Sequence, residues 1–290
     1  MYTKNLKLQK KIYISTIFEP IKRIYSMKIL KIFFLTPLFL LMSFSLQSQC
    51  VIHEKAFTSG EVIRYNAFYN WGLIWINAGS VVFRVDSRQF DGQDVYHLFG
   101  YGSSHSSYDW IFKVRQRYQS YIDTKTLLPL WYERDVVEGN YTAHEDYRFN
   151  YNTNQIRTFV QKRQNPGVSG TLPITPCLFD IMSAIYYFRS VDVSNFRVGD
   201  KVPINIVLDS NTYQLYIRYL GKEEVQTRDR IKFNCLKFAV QLVEGTVFKA
   251  GEEALIWVTD DKNKVPVVVE APIIVGTVKA VLVETEGLKH

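Results

Sequence analysis

From Glu61 onward the chain alternates, and that alternation limits what it can fold into. Residues 61–69 read EVIRYNAFY, with Val62, Arg64, Asn66 and Phe68 on one side and Ile63, Tyr65, Ala67 and Tyr69 on the other. A period of two, rich in aromatic and β-branched residues, predicts a half-buried strand. Trp71-Gly72 turns the chain into a second strand over 73–86, where Ala78-Gly79 marks a bulge or a close backbone approach. Asp91-Gly92 is a hairpin signal leading to 95–101, and the pattern recurs at 114–122, 130–137, 141–151 and 156–162. A second block follows at 201–208, 212–220, 231–243, 254–259, 265–270 and 274–285. Successive strands with short turns predict an antiparallel meander, which must curl or pack to cover its apolar face.

One segment breaks the pattern. Within 176–190, Leu178, Ile181, Met182, Ile185 and Phe188 recur at three- and four-residue spacing, one apolar helical face. Asp180, Ser183, Ala184 and Tyr187 fall on the other side. The Gly/Pro-rich stretch 165–175 before it reads as a mobile loop and as the seam between the strand blocks. The expected fold is mostly β: a curved antiparallel sheet or partly closed barrel, with one amphipathic helix packed on it.

The first 48 residues are of a different kind. Residues 29–46 read ILKIFFLTPLFLLMSFSL, with Lys31 as the only charge, Lys28 just before and Ser48 at the exit. This is the form of a secretory signal peptide. Residues 1–26 are a basic extension that such a leader does not need, so Met27 is the expected start, 27–48 the leader and 49–290 one β-rich domain. The rival is an uncleaved anchor, but the run from 32 to 46 falls short of the roughly 20 residues a spanning helix needs. Eight of the 35 basic residues and one of the 28 acids lie in 1–48, which leaves 27 of each afterwards. The basic balance belongs to the leader and gives no argument for nucleic acid binding.

Three cysteines follow the leader. Cys177 and Cys235 are candidates for a disulfide in an oxidising compartment, leaving Cys50 at the new terminus, where lipid attachment is an alternative fate. The rival is three buried or terminal thiols. No CxxC or HExxH spacing is present, so neither a metal nor a cofactor is expected.

Two stretches invite a site. On the helix, Asp180, Ser183 and Tyr187 are spaced to be neighbours and would form a polar patch at a cavity mouth; capping rules alone would also place Asp180 and Arg189 where they are. Around His105, four serines and Asp109 have hydrolase residue types, but no G-x-S-x-G elbow accompanies them and a polar loop explains them. Trp75 and Trp257 are the aromatic candidates for holding a ligand, against ordinary strand propensity.

Several short motifs carry a resemblance. Gly60-Glu61 leading to Tyr65, then Asn77-Ala78-Gly79; the helix residues Asp180, Ser183, Ala184, Tyr186, Tyr187 and Arg189; and finally 257–260, 266–268 and 276–278 resemble a family of bacterial envelope proteins, domain-of-unknown-function family 3108. The resemblance covers nearly all of the chain after the leader and implies a secreted or periplasmic β-rich domain with no catalytic residues to carry over. By overall pattern the chain is also similar to the lipoprotein-carrier class (LolA/LolB-like), which wraps a curved sheet around helices and holds acyl chains inside. The expectation is therefore an exported, periplasmic or outer-membrane-associated, non-enzymatic protein. It would bury a lipid-like ligand between sheet and helix, with 165–175 as a gate. A structural role with an envelope-protein partner, and hydrolysis of an envelope polymer, are the alternatives.

Overall fold

The computed structural model describes residues 50, 52, 54–71, 74–243, 251, 253–273 and 276–290. The leader, its start at Met27 and its exit at Ser48 lie outside the described residues, as do Gly72 and Ile274. No helix among the described residues is long and apolar enough to cross a membrane.

Fifteen strands are described: β1 (Val62–Trp71), β2 (Ile74–Phe90), β3 (Gln93–Ser104), β4 (Val114–Asp123), β5 (Pro129–Glu138), β6 (Tyr141–Asn150), β7 (Gln155–Lys162), β8 (Val168–Pro173), β9 (Leu178–Phe179), β10 (Lys201–Leu208), β11 (Asn211–Gln226), β12 (Lys232–Gln241), β13 (Glu253–Thr259), β14 (Pro266–Pro272) and β15 (Thr277–Glu286). A short helix α1 (Asp109–Phe112) joins β3 to β4, and α2 (Ile181–Arg189) separates β9 from β10. All the strands form one sheet in the order 8-7-6-5-4-3-2-1-15-14-13-12-11-10-9. Two meanders therefore meet where β1 pairs antiparallel with β15, and among the described residues the only parallel pairing is β9 with β10.

Local chemistry explains the hairpins and the curvature. Asp91 and Gly92 both take positive φ, 49° and 80°, as the tight β2–β3 turn requires. The β1–β2 register shifts between Ala67 and Phe68, so Ala78 is the extra residue of a bulge. A Cβ on its neighbour Gly79 would collide with the Ser103 carbonyl oxygen. Further shifts at Arg64/Tyr65, Tyr121/Ile122, Tyr219/Gly221 and Trp257/Val258 bend the sheet, since each bulge adds local twist. The result is one large curved sheet that does not close. The loop expected at 165–175 is instead mostly strand: Val160 pairs with Val168 and Ile156 with Leu172, making β8 an edge. An edge strand uses only one side of its backbone and so accommodates the Gly and Pro that disguise it.

The helix is buried nearly all round, not along one stripe. Met182 and Tyr186 pack with Leu98, Ile122, Tyr132 and Tyr147 of the N-terminal meander. Ala184, Tyr187 and Phe188 pack with Ile204, Phe238 and Val258 of the C-terminal one. The β10–β11 turn meets β6 and β7 across this core through hydrogen bonds. Asp209 N donates to Glu145 Oε2 at 3.2 Å, Ser210 N to Tyr147 Oη at 3.1 Å, and Ser210 Oγ to Thr158 Oγ1 at 2.9 Å. Arg134 pairs with the fully buried Glu145 on the same inner surface.

The cysteine expectation needs correcting. Cys50 pairs with Cys177, Cα atoms 5.6 Å apart, and Cys235 is a buried free thiol. Cys177 packs with the core around the helix, whereas Cys235 belongs to a separate cluster with Phe68, Trp257 and Val268. The sheet lies between Cys177 and Cys235. Burial, followed by the nearby Glu223 carboxylate, pushes the Cys235 thiol up to about 11.

Candidate functional site

The five residues singled out from sequence separate into two places. Asp180, Ser183 and Tyr187 lie in the interior, with Asp180 and Ser183 fully buried. Asp180 is the N-cap of α2, accepting from Met182 N at 2.7 Å and Ser183 N at 2.9 Å. Ser120 Oγ on β4 donates to its other oxygen at 2.7 Å, so the cap also ties helix to sheet. Tyr187 stacks on Phe179 at 4.4 Å. These groups position the helix; no cavity mouth lies beside them among the described depressions.

Burial raises the Asp180 carboxyl to about 6, against the opposing hydrogen bonds from Ser183, Ser120 and Met182. A carboxyl raised on folding favours the fold most when protonated. Its contribution is fully present below the unfolded value of 3.8 and is lost as pH rises through about 6. The full loss is on the order of 3 kcal/mol. Asp180→Asn keeps a capping oxygen without the charge, so relative to the parent it gains stability between pH 4 and pH 7, as measured by urea unfolding at the two pH values. Parallel stabilities across that window would refute the shifted carboxyl. Asp180→Ala instead loses the cap, about 1–2 kcal/mol.

Trp75 and Trp257 come together elsewhere, in a groove of about 370 Å³ on the sheet surface facing away from α2. Phe68, Trp75, Trp257, Val225, Val268 and Val281 give it apolar walls, and the end of the β11–β12 hairpin closes one side. Arg228, in the hairpin turn, stacks over the Phe68 ring at 4.0 Å. The surrounding charges are mostly committed. Glu223 takes Lys237 at 2.8 Å and Trp257 Nε1 at 3.1 Å, bonds that hold its carboxyl below the usual range. Glu224 takes Lys232 at 2.7 Å, and Lys279 takes Glu270 at 2.7 Å while lying over Trp75. Arg228 is exposed and has no ion-pair partner among the described residues. The groove thus offers an aromatic floor and one uncommitted positive charge, and its volume falls in the range of small-molecule sites.

Sequence reasoning missed Phe68, Val268, Val281 and Arg228. A signal was present: Val267, Val268 and Val269 form an unbroken apolar run, the mark of a strand covered on both faces. A second depression, about 440 Å³ over β6–β8, is lined by Asp146, Arg148, Arg157, Thr158 and Phe159 with β8 residues, and lacks such a floor. The His105 loop does not assemble a relay. His105 Nε2 is 3.3 Å from Asn77 Oδ1, while Asp109 accepts from Ser104 Oγ at 2.6 Å and from Arg115 Nη2 at 2.5 Å. Among the described residues, no three His, Cys, Asp or Glu side chains converge as a metal site.

The space between helix and sheet, where a ligand was expected, is occupied by the core side chains of Phe57, Leu98, Tyr132, Met182 and Tyr186.

Residues 64–283 match the model of a family described as "Protein of unknown function (DUF3108)". Among solved structures, the chain is similar to a β-barrel-like protein of domain of unknown function DUF1849 from Brucella abortus. The TM-score is 0.51 at 8% identity, over 79% of this chain and 98% of that one, a likeness of fold alone. No curated protein matches the sequence.

Proposed function

The chain belongs to the DUF3108 family of proteins of unknown function, and from that premise we propose that it is an exported envelope protein that binds an anionic amphiphile without catalysis. The groove beneath the β11–β12 hairpin carries the reading. Its aromatic and valine walls take the apolar part of the ligand, at about 0.8 kcal/mol per buried methylene, and Arg228 takes the anionic head. The site lies on the outer surface of the sheet, not beneath the helix as in the carrier analogy. Export is supported by the apolar leader and by the Cys50–Cys177 disulfide, a bond that persists in oxidising compartments.

Native mass spectrometry of the protein purified gently from a bacterial envelope, followed by lipid extraction, tests occupancy. Titration with dodecyl phosphate, followed by tryptophan fluorescence, tests the groove. The expected result is a saturable change that Arg228→Glu weakens about tenfold, with dodecyl maltoside, uncharged at its head, binding more weakly. A bare polypeptide mass together with no saturable response would remove the proposal. It would leave the structural reading, for which the exposed edge strand β8 offers a surface for strand addition.

A further inference from the structure

The strongest exposed apolar feature is away from the groove floor. Helix α1 presents Trp110 at 82% exposure, with Ile111 at 53% and Phe112 at 52%, and Ile74 at the β1–β2 end is 67% exposed. In an antiparallel meander the β1–β2, β3–β4, β5–β6 and β7–β8 connections all fall at one end of the sheet. The β3–β4 and β5–β6 connections are tied there directly: Gly139 N donates to Lys113 O at 2.8 Å, and the Phe112 ring covers Gly139. Trp110 and Ile111 have no comparable cover, and an apolar tip of this kind costs solubility unless something receives it.

Charge identifies the recipient. Of the acids at this end, Asp109 is ion-paired with Arg115 and accepts from Ser104, and Glu138 is buried and accepts a 2.5 Å hydrogen bond from Gln116. Two cations have no such partner. Lys113, next to the tip, and Arg163, over the Tyr141 ring at the start of β6, are exposed and have no ion pair among the described residues. An exposed tryptophan and isoleucine flanked by uncommitted cations match the interface of an anionic bilayer, where indole sits at headgroup level and lysine and arginine meet phosphate. We infer that this end docks the protein on an anionic lipid bilayer by inserting the Trp110–Ile111 tip. The docking is interfacial: a four-residue helix enters the headgroup region and does not span.

The test uses the full-length protein with vesicles of phosphatidylethanolamine and phosphatidylglycerol, in which part of the lipid carries brominated acyl chains that quench tryptophan at membrane depth. The leader contains no tryptophan, so quenching reads the folded part even where the leader itself touches lipid. The difference between the parent and Trp110→Phe isolates Trp110. The expected result is quenching of Trp110 that weakens with salt and with Lys113→Glu, and about tenfold weaker insertion for Ile111→Ser. Both substitutions fall at exposed positions, and circular dichroism confirms that the variants fold. Arg228→Glu leaves the quenching unchanged, so loss of the groove and loss of the docking tip are distinguishable. Unquenched Trp110 overturns the inference. So does a dimer in sedimentation that Trp110→Ser dissolves without vesicle quenching, which would make a second copy the recipient.

Discussion

Glu61→Ala destabilises the fold by about 3–5 kcal/mol, the cost of leaving a buried charge without its partner. Arg189, the last residue of α2, forms two parallel bonds to Glu61, Nη1 to Oε1 at 2.6 Å and Nη2 to Oε2 at 2.8 Å. Its Nε donates to the Asn263 carbonyl at 3.1 Å. Neither side chain meets solvent: Glu61 is 0% and Arg189 2% exposed. Asn263 in turn holds the chain end, through its Nδ2 to His290 O at 2.7 Å and from His290 N to its Oδ1 at 2.9 Å. One guanidinium therefore joins the entry to β1, the helix and the β13–β14 turn. Arg189→Ala is expected to cost as much as Glu61→Ala. The double substitution Glu61→Leu, Arg189→Met should recover much of the loss, because an apolar pair leaves no stranded charge. Guanidinium unfolding of the parent and the three variants makes the comparison. Single-variant losses below about 1 kcal/mol, the range of an exposed pair, would contradict the buried geometry.

Opening the Cys50–Cys177 bond is the second large effect, expected at about 2–4 kcal/mol. The two residues are 127 apart in sequence, so the bond removes a long loop's freedom from the unfolded chain. It also ties the segment before β1 to the approach to α2, where Cys50 and Ile52 pack beside Phe188 and Phe238. Reductant should lower the guanidinium midpoint of the parent and leave Cys50→Ser unchanged. Thiol labelling under denaturing conditions should find one free thiol before reduction and three after. A parent insensitive to reductant would exclude the bond. The same sulfur cannot carry a thioether-linked lipid while it is in a disulfide, so the labelling count also decides the fate of Cys50.

Nearly every strand was legible in advance. The strand expected at 201–208 and β10 coincide, and the others differ by a few residues at their ends. β11 runs past its expected end to Gln226, through the Tyr219/Gly221 bulge, because Gly221 looks like a stop in the sequence but only shifts the ladder. β8 was hidden by its glycines and proline. The helix was found, but its surroundings were not: Ser183, Ala184 and Tyr187 look like an outer face, yet all three are buried, Ala184 and Tyr187 against the second meander.

The candidate site divides the same way. Trp75 and Trp257 could be picked out by residue type, but they are 182 positions apart, and only the strand order of the sheet brings both to the groove that the β11–β12 hairpin borders. Glu61 and Arg189 each belong to the motifs that carry the family resemblance, and nothing local says that they touch. The sequence by itself determined the local conformations, because side-chain period, turn chemistry and capping act over a few residues. Which two faces meet, which cysteines join and which charges remain unpaired was decided only by the tertiary structure. Those outcomes depend on how far each bulge bends the sheet, and that curvature accumulates over fifteen strands.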